Sequence, residues 1–186
     1  MDPEPTQAPP RKLVSVYGSS MVERGEAVYA DARRLGGALG AAGVAVATGG
    51  YGGVMEAASR GAVDAGSEAV GYTVDGWDMR SPNPYLSREV VCADLYERLS
   101  QLIEDTSALL AMGGGIGTLA EVALAWNHLA MKLIAPRPLI VVGPDWARTL
   151  ESLSSLLEIR EKQLTEIACV RDVDEAVEKL TEAGIL

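Results

Sequence analysis

The residues best suited to chemistry cluster around one glycine-rich stretch. Gly113-x-Gly115-x-x-Thr118 follows a short apolar run, Ala108 to Met112, and precedes an apolar stretch free of Gly and Pro that reaches Leu133. Strand, glycine loop and helix start, in that order, put unhindered backbone N–H groups at the positive end of a helix, where a phosphate binds. A plain tight turn fits the spacing too, because the full dinucleotide fingerprint and the Lys-Ser/Thr ending of a P-loop are both missing. Glu121, three residues after Thr118, has the same double character. T-x-x-E is a capping box, with Thr118 as N-cap and Glu121 reaching back to its N–H. That arrangement accounts for both residues without chemistry.

Other chemistries lack their residues. His128 is the only histidine, and Cys92 and Cys169 stand far apart, so neither zinc-site spacing nor a disulfide framework is present. No G-x-S-x-G elbow presents a nucleophile, and Ser19 and Ser20 suit turn hydroxyls or phosphate contacts better. Arg, Glu, hydroxyls and backbone amides remain.

Alternating strands and helices must position these groups. Leu13 to Tyr17 reads as a strand ending in Gly18-Ser19-Ser20, and Glu26 to Ala42 as a helix closed by Gly43. Val44 to Ala47 is the second strand, followed by the glycine loop Thr48 to Gly53, a helix over Val54 to Ala65 and a strand over Ala69 to Thr73. Val74 to Ser87 interrupts the alternation as either a lid or a disordered excursion. Val90 to Cys92 is a short strand, and Asp94 caps a helix to Asp105 whose core stripe is Leu95, Leu99, Leu102 and Ile103. Arg98 lies at the edge of that stripe, where a snorkelling surface arginine is the simplest account. In the central helix Leu119, Val122, Ala123, Trp126, Leu129, Ala130 and Leu133 share one stripe, with Glu121, His128 and Lys132 opposite. Leu124 and Met131 border the polar side, so the helix is apolar nearly all round and predicts burial from two directions. Pro138 to Val142, Trp146 to Leu157, Ile167 to Val170 and Asp172 to Ala183 continue as strand, helix, strand and helix. The pattern predicts a doubly wound parallel α/β sheet in three layers, with ligands beyond the carboxyl ends of its strands.

The chain has 186 residues, 48% of them hydrophobic, and a net charge of −10. That length suits one domain over residues 11–186, and the proline-rich segment 1–10 reads as a disordered tail. The acidic balance, with no basic run, argues against nucleic acid or an anionic membrane as partner. No apolar run is long enough to span a membrane and no signal-peptide core is present, which points to a cytoplasmic location.

Gly114-Gly-Ile-Gly-Thr-Leu-Ala-Glu121 resembles the P-G-G-x-G-T-x-x-E motif of the Lonely Guy (LOG) family, long mislabelled as lysine decarboxylases. The resemblance extends over roughly Leu13 to Val142 and includes Gly18-Ser19-Ser20 and Gly49-Gly50-Tyr-Gly-Gly53-Val-Met55. Gly113 replaces the family's proline, Leu99 its frequent lysine, and Glu56 a common glycine in a loop one residue shorter. The resemblance implies a Rossmann-like fold, a dimer or higher homo-oligomer, and hydrolysis of nucleoside 5′-monophosphates at the N-glycosidic bond, cytokinin ribotides and AMP among them. It places the catalytic roles on Arg98 and Glu121. Phosphate or nucleotide binding falls to Gly18, Ser19, Ser20, Gly49, Gly50, Gly53, Met55, Gly114, Gly115, Ile116, Gly117 and Thr118.

Cleaving a ribosyl C–N bond builds positive charge on the sugar, which a carboxylate offsets. A helix N-terminus should keep Glu121 ionised, suiting an electrostatic stabiliser or a water-orienting base. No cofactor and no metal are required. The alternative is a carrier of the same fold that holds a nucleotide or phosphorylated cofactor without turnover. A true lysine decarboxylase needs pyridoxal phosphate on a lysine, and none of Lys12, Lys132, Lys162 and Lys179 lies in a glycine loop. Self-association is expected through the helix over residues 118–133, whose apolar circumference needs cover.

Overall fold

The computed structural model describes residues 12–77 and 81–186. The expected tail over residues 1–10 lies outside them. Seven parallel strands form one sheet: β1 (Leu13–Tyr17), β2 (Ala45–Thr48), β3 (Ala69–Val74), β4 (Arg88–Cys92), β5 (Ala108–Ala111), β6 (Leu139–Val142) and β7 (Ala168–Val170). Their spatial order is β4-β3-β2-β1-β5-β6-β7. The chain winds from β1 outward to β4, then returns past β1 to begin β5. Neighbouring strands β1 and β5 are therefore the switch point, where loops diverge to opposite sides and leave a crevice.

Among the described residues, seven helices connect the strands: α1 (Ala27–Ala41), α2 (Val54–Asp64), α3 (Leu95–Glu104), α4 (Ile116–Ala130), α5 (Pro144–Leu156), the single-turn α6 (Glu161–Leu164) and α7 (Val173–Glu182). The sequence pattern misses α6, because one turn is too short to show a helical period. Side chains alternate across each strand, and this divides the core in two. Val14, Val16, Leu110, Ile140 and Val142 pack with α1, α2 and α7 on one face. Tyr17, Leu109, Ala111, Leu139 and Val141 pack with α3, α4 and α5 on the other. Fully burying an aliphatic side chain of this kind is worth about 1.5–3 kcal/mol. The three-layer α/β/α Rossmann-like fold follows from that two-sided burial.

Two expectations about helix faces are corrected. On α3 Leu95 is exposed and Leu99 half-buried, whereas Arg98 is buried beside Leu102 and Ile103. On α4 the inward face is Thr118, Glu121, Val122, Ala125 and Leu129, and Ala123 faces outward. Both shifts have one cause. A polar side chain is admitted to the inward face where another buried polar group meets it, which a wheel drawn on hydrophobicity cannot register.

Candidate active site

Three loops converge at the carboxyl ends of β1, β2 and β5, and Ser19 joins them. Its N–H donates to the Gly113 carbonyl at 3.0 Å, and its own carbonyl accepts from Val54 N–H at 2.9 Å. The Ser19 hydroxyl accepts from Met21 N–H at 3.1 Å, a turn role. Gly18 packs so tightly that a Cβ there would lie 2.4 Å from Val54 Cγ1, and Ser20 shares the turn.

The loop after β2 is sealed. Gly49, Gly50 and Gly53 are buried, as is Met55. Gly50 N–H donates to Thr48 Oγ1 at 3.1 Å. Gly53 has φ +66°, and a Cβ there would lie 2.2 Å from the Ser19 carbonyl oxygen. A Cβ on Gly49 would meet Arg98 Nη2 at 1.7 Å and Met55 Sδ at 2.8 Å, so the guanidinium and the thioether lie directly against this loop. Asn83 braces it from the other side, its Nδ2 donating to the carbonyls of Gly50 at 3.2 Å and Tyr51 at 3.1 Å. Of the expected lid over residues 74–87, residues 74–77 and 81–87 are described, and Asn83 ties the second of these stretches to the loop. Glu56, in the first turn of α2, accepts from Arg24 Nε and the Tyr29 hydroxyl, both at 2.8 Å.

The loop after β5 is open. Gly113, Gly114, Gly115, Ile116 and Gly117 are all exposed, Ile116 at 83%. A Cβ on Gly113, Gly115 or Gly117 would meet nothing within 4 Å. The loop is nonetheless anchored at its base, where Trp146 Nε1 donates to the Met112 carbonyl at 3.1 Å. Thr118 lies beneath Gly114, whose Cβ would stand 2.1 Å from Thr118 Oγ1.

The capping box expected here is absent. Helix α4 begins at Ile116 with Gly115 as N-cap and no capping side chain, so Thr118 and Glu121 are both inside the helix. Extended backbone at Gly115 lets the helix start before the threonine, and among the described residues no capping side chain accepts from the first-turn N–H groups. At α3 the cap is the expected one: Asp94 Oδ1 accepts from Tyr96 and Glu97 N–H at 2.8 and 2.9 Å. That start fixes Arg98 one turn in.

Arg98 and Glu121 meet on the α3/α4 face of the sheet. Nη1 of Arg98 lies 3.5 Å from Glu121 Oε1, and Nε donates to the Tyr72 carbonyl on β3 at 2.9 Å. Their side chains are only 7% and 10% exposed. Arg98 is therefore a buried ion-pair partner and does not snorkel. Burial raises the Glu121 carboxyl pKa from 4.5 to about 7, with Arg98 opposing that shift. This reverses the expectation of a firmly ionised Glu121. A carboxylate inside the second turn lies past the reach of the helix end, and desolvation wins. Tyr17, buried on the same face, donates to the Leu102 carbonyl at 3.3 Å, and burial with Glu121 nearby holds its hydroxyl neutral.

Sequence reasoning missed Asn83, Tyr17 and Trp146. The position of Asn83 between Pro82 and Pro84 is a turn signal, but nothing local marks its partners. Two open grooves, of about 420 Å³ beside Arg33 and Asp64 and about 390 Å³ along α5, contain none of these groups. Among the described residues no three His, Cys, Asp or Glu side chains gather as a metal site, and no helix is long and apolar enough to cross a membrane.

Known proteins match this architecture. A protein of Archaeoglobus fulgidus without assigned function is 28% identical over 132 residues, covering 71% of this chain and 86% of its own. The molybdenum cofactor binding protein of Rippkaea orientalis superposes with a TM-score of 0.74 at 21% identity, covering 92% of this chain and 96% of that one. The molybdenum cofactor carrier protein of Chlamydomonas reinhardtii does so with a TM-score of 0.71 at 23% identity, covering 95% and 99%. At these identities the two structures establish the fold. The model of the SLOG cluster4 family matches residues 11–177, and with the glycine motif, the switch-point loops and the Arg98–Glu121 pair in place, the chain belongs to that family, within the LOG-like superfamily.

Proposed function

We propose that the protein binds and carries a small phosphorylated ligand, a nucleotide or a phosphorylated cofactor, at the β1/β5 crevice. The observation that carries this reading is the uncapped start of α4. Gly113, Gly115 and Gly117 border open space there, and no side chain of the helix competes for the first-turn N–H groups. An anion at such a helix start is stabilised by oriented N–H groups and the helix dipole, even on a protein of net charge −10. The near closure of Arg98 and Glu121 favours carrying over turnover, since the pair is spent on joining α3, α4 and β3. The similar folds of molybdenum cofactor binding and carrier proteins make the molybdenum cofactor a candidate cargo.

Phosphoribohydrolysis is the second reading, and the carboxyl of Glu121 favours it. A group with a pKa near 7 beside an arginine is suited to exchange a proton at a glycosidic bond. One experiment separates the two. The protein is titrated with AMP and with molybdenum cofactor by calorimetry, and incubated with a panel of nucleoside monophosphates while free base is followed. Binding without base release is the expected result. Catalytic base release would establish the hydrolase, and no binding at millimolar ligand would end both readings.

Self-association belongs to the same proposal. Ile116, Met131 and Leu133 are 83%, 60% and 66% exposed, and with Ala120 and Ala123 they leave apolar surface along and beyond α4. Sedimentation at micromolar concentration should show a dimer or larger species.

A further inference from the structure

Trp77 differs from the other two tryptophans. Trp146 is buried and donates to Met112 O, and Trp126 is partly buried and donates to Gln163 O at 2.6 Å. Trp77 is 44% exposed, three residues beyond the carboxyl end of β3, on the same edge of the sheet as the glycine loops. Its ring rests against Tyr51, with centroids 6.0 Å apart and planes inclined by 38°. Tyr51 is itself held at both ends. Its hydroxyl accepts from Val74 N–H at 3.3 Å, and its carbonyl accepts from Asn83 Nδ2 at 3.1 Å. Trp77 N–H closes the turn onto Val74 O at 3.4 Å. A large apolar ring is thus held in place with much of its surface left in water, an arrangement that rewards a planar guest.

We propose that Trp77, supported by Tyr51, is a stacking platform for the planar ring of the ligand whose phosphate the 113–118 loop holds. This rests on the proposed anion site and adds the chemical class of the ligand's other end, a heteroaromatic ring. The sheet sets the distance. With neighbouring strands about 4.8 Å apart, β3 lies about 10 Å from β1, and Gly113 is bonded to Ser19 just past β1, so a phosphate on the β1 side of the loop leaves a gap of this order for the rest of the ligand to cross toward Trp77. Sequence specificity among rings is modest in such a site, because every planar base has a π face.

Calorimetry with inorganic phosphate, ribose 5-phosphate and AMP, on the parent, Trp77→Phe and Trp77→Ala, tests this. The parent should bind AMP on the order of tenfold more tightly than ribose 5-phosphate, the usual scale for one stacked base. Trp77→Ala should bring AMP down to the ribose 5-phosphate level without changing ribose 5-phosphate itself, and Trp77→Phe should restore most of the difference. AMP, and not ribose 5-phosphate, should quench the parent's tryptophan fluorescence. An unchanged thermal midpoint verifies that each variant is folded. If the parent binds the two sugar phosphates equally, or Trp77→Ala keeps the difference, the ring platform is wrong and the anion site stands. If the parent binds neither, the anion site falls and takes the platform with it.

Discussion

Gly49–Gly53 and Gly113–Gly117 both follow a strand at the carboxyl edge of the sheet and both lead into a helix, yet their surroundings are opposite. In the first loop the glycines at 49, 50 and 53 are buried, φ is +79° at Gly50 and +66° at Gly53, and Arg98, the Thr73 side chain or the Ser19 backbone occupies the space a Cβ would take. In the second every residue is exposed, and Gly113, Gly115 and Gly117 have nothing near a Cβ. The difference teaches that glycine content alone does not identify a phosphate loop. Where packing excludes a side chain, glycine serves the fold. Where nothing in the protein excludes one, the reason for glycine lies outside the protein, in what approaches the backbone.

The largest effect that sharpens this contrast is expected at Gly53. Gly53→Ala combines an unfavourable left-handed conformation with a clash against Ser19 O, and should cost about 2–4 kcal/mol in urea unfolding. A change under about 0.5 kcal/mol would show that the loop yields more easily than its packing implies. Asn83→Ala should come next. It leaves the buried Gly50 and Tyr51 carbonyls without their side-chain donor, a loss of about 1–3 kcal/mol. Amide exchange should quicken at residues 49–53 and stay unchanged at 113–117.

The third effect concerns pH. Folded Glu121 holds its proton up to about 7, above the ordinary 4.5, so the folded state binds more protons in that window. Its contribution to stability is therefore complete below the lower value and is lost as pH rises through the upper one. Glu121→Gln should remove that slope, seen as a smaller fall in unfolding free energy between about pH 5 and about pH 8. A slope identical to the parent's would place the titrating group elsewhere. The smallest stability effect is at Gly117, whose Ala variant should be neutral or more stable by up to about 1 kcal/mol, since the position is helical and open. Affinity for AMP should nevertheless drop, because the added methyl stands where the phosphate approaches. Gly117→Ala with full AMP affinity would undo the contrast between the loops.

The layout of the sheet was legible in the sequence. Strand positions, the alternation with helices and the Asp94 cap are written in short-range patterns of apolar residues and turn formers, and these hold whatever packs against them. So were the three loops, because a parallel α/β sheet delivers them to one edge. The candidate site was legible in its members and not in their states. Thr118 reads as a cap by spacing alone, but where α4 starts depends on how the chain leaves β5, and Gly115 accepts the extended turn first. Arg98 and Glu121, 23 residues apart, meet only because α3 and α4 lie on the same face of the sheet. Local reasoning used the helix dipole and expected an ionised Glu121, whereas the tertiary structure removed the water and raised its pKa. The bonds of Asn83 to residues 33 and 32 positions away have no local signature either. The sequence by itself determined which groups reach the carboxyl edge, since periodicity and turn chemistry act over a few residues. Only the tertiary structure decided which glycines are walls and which are an opening, and which charges are buried together, because burial depends on neighbours that chain order does not place side by side.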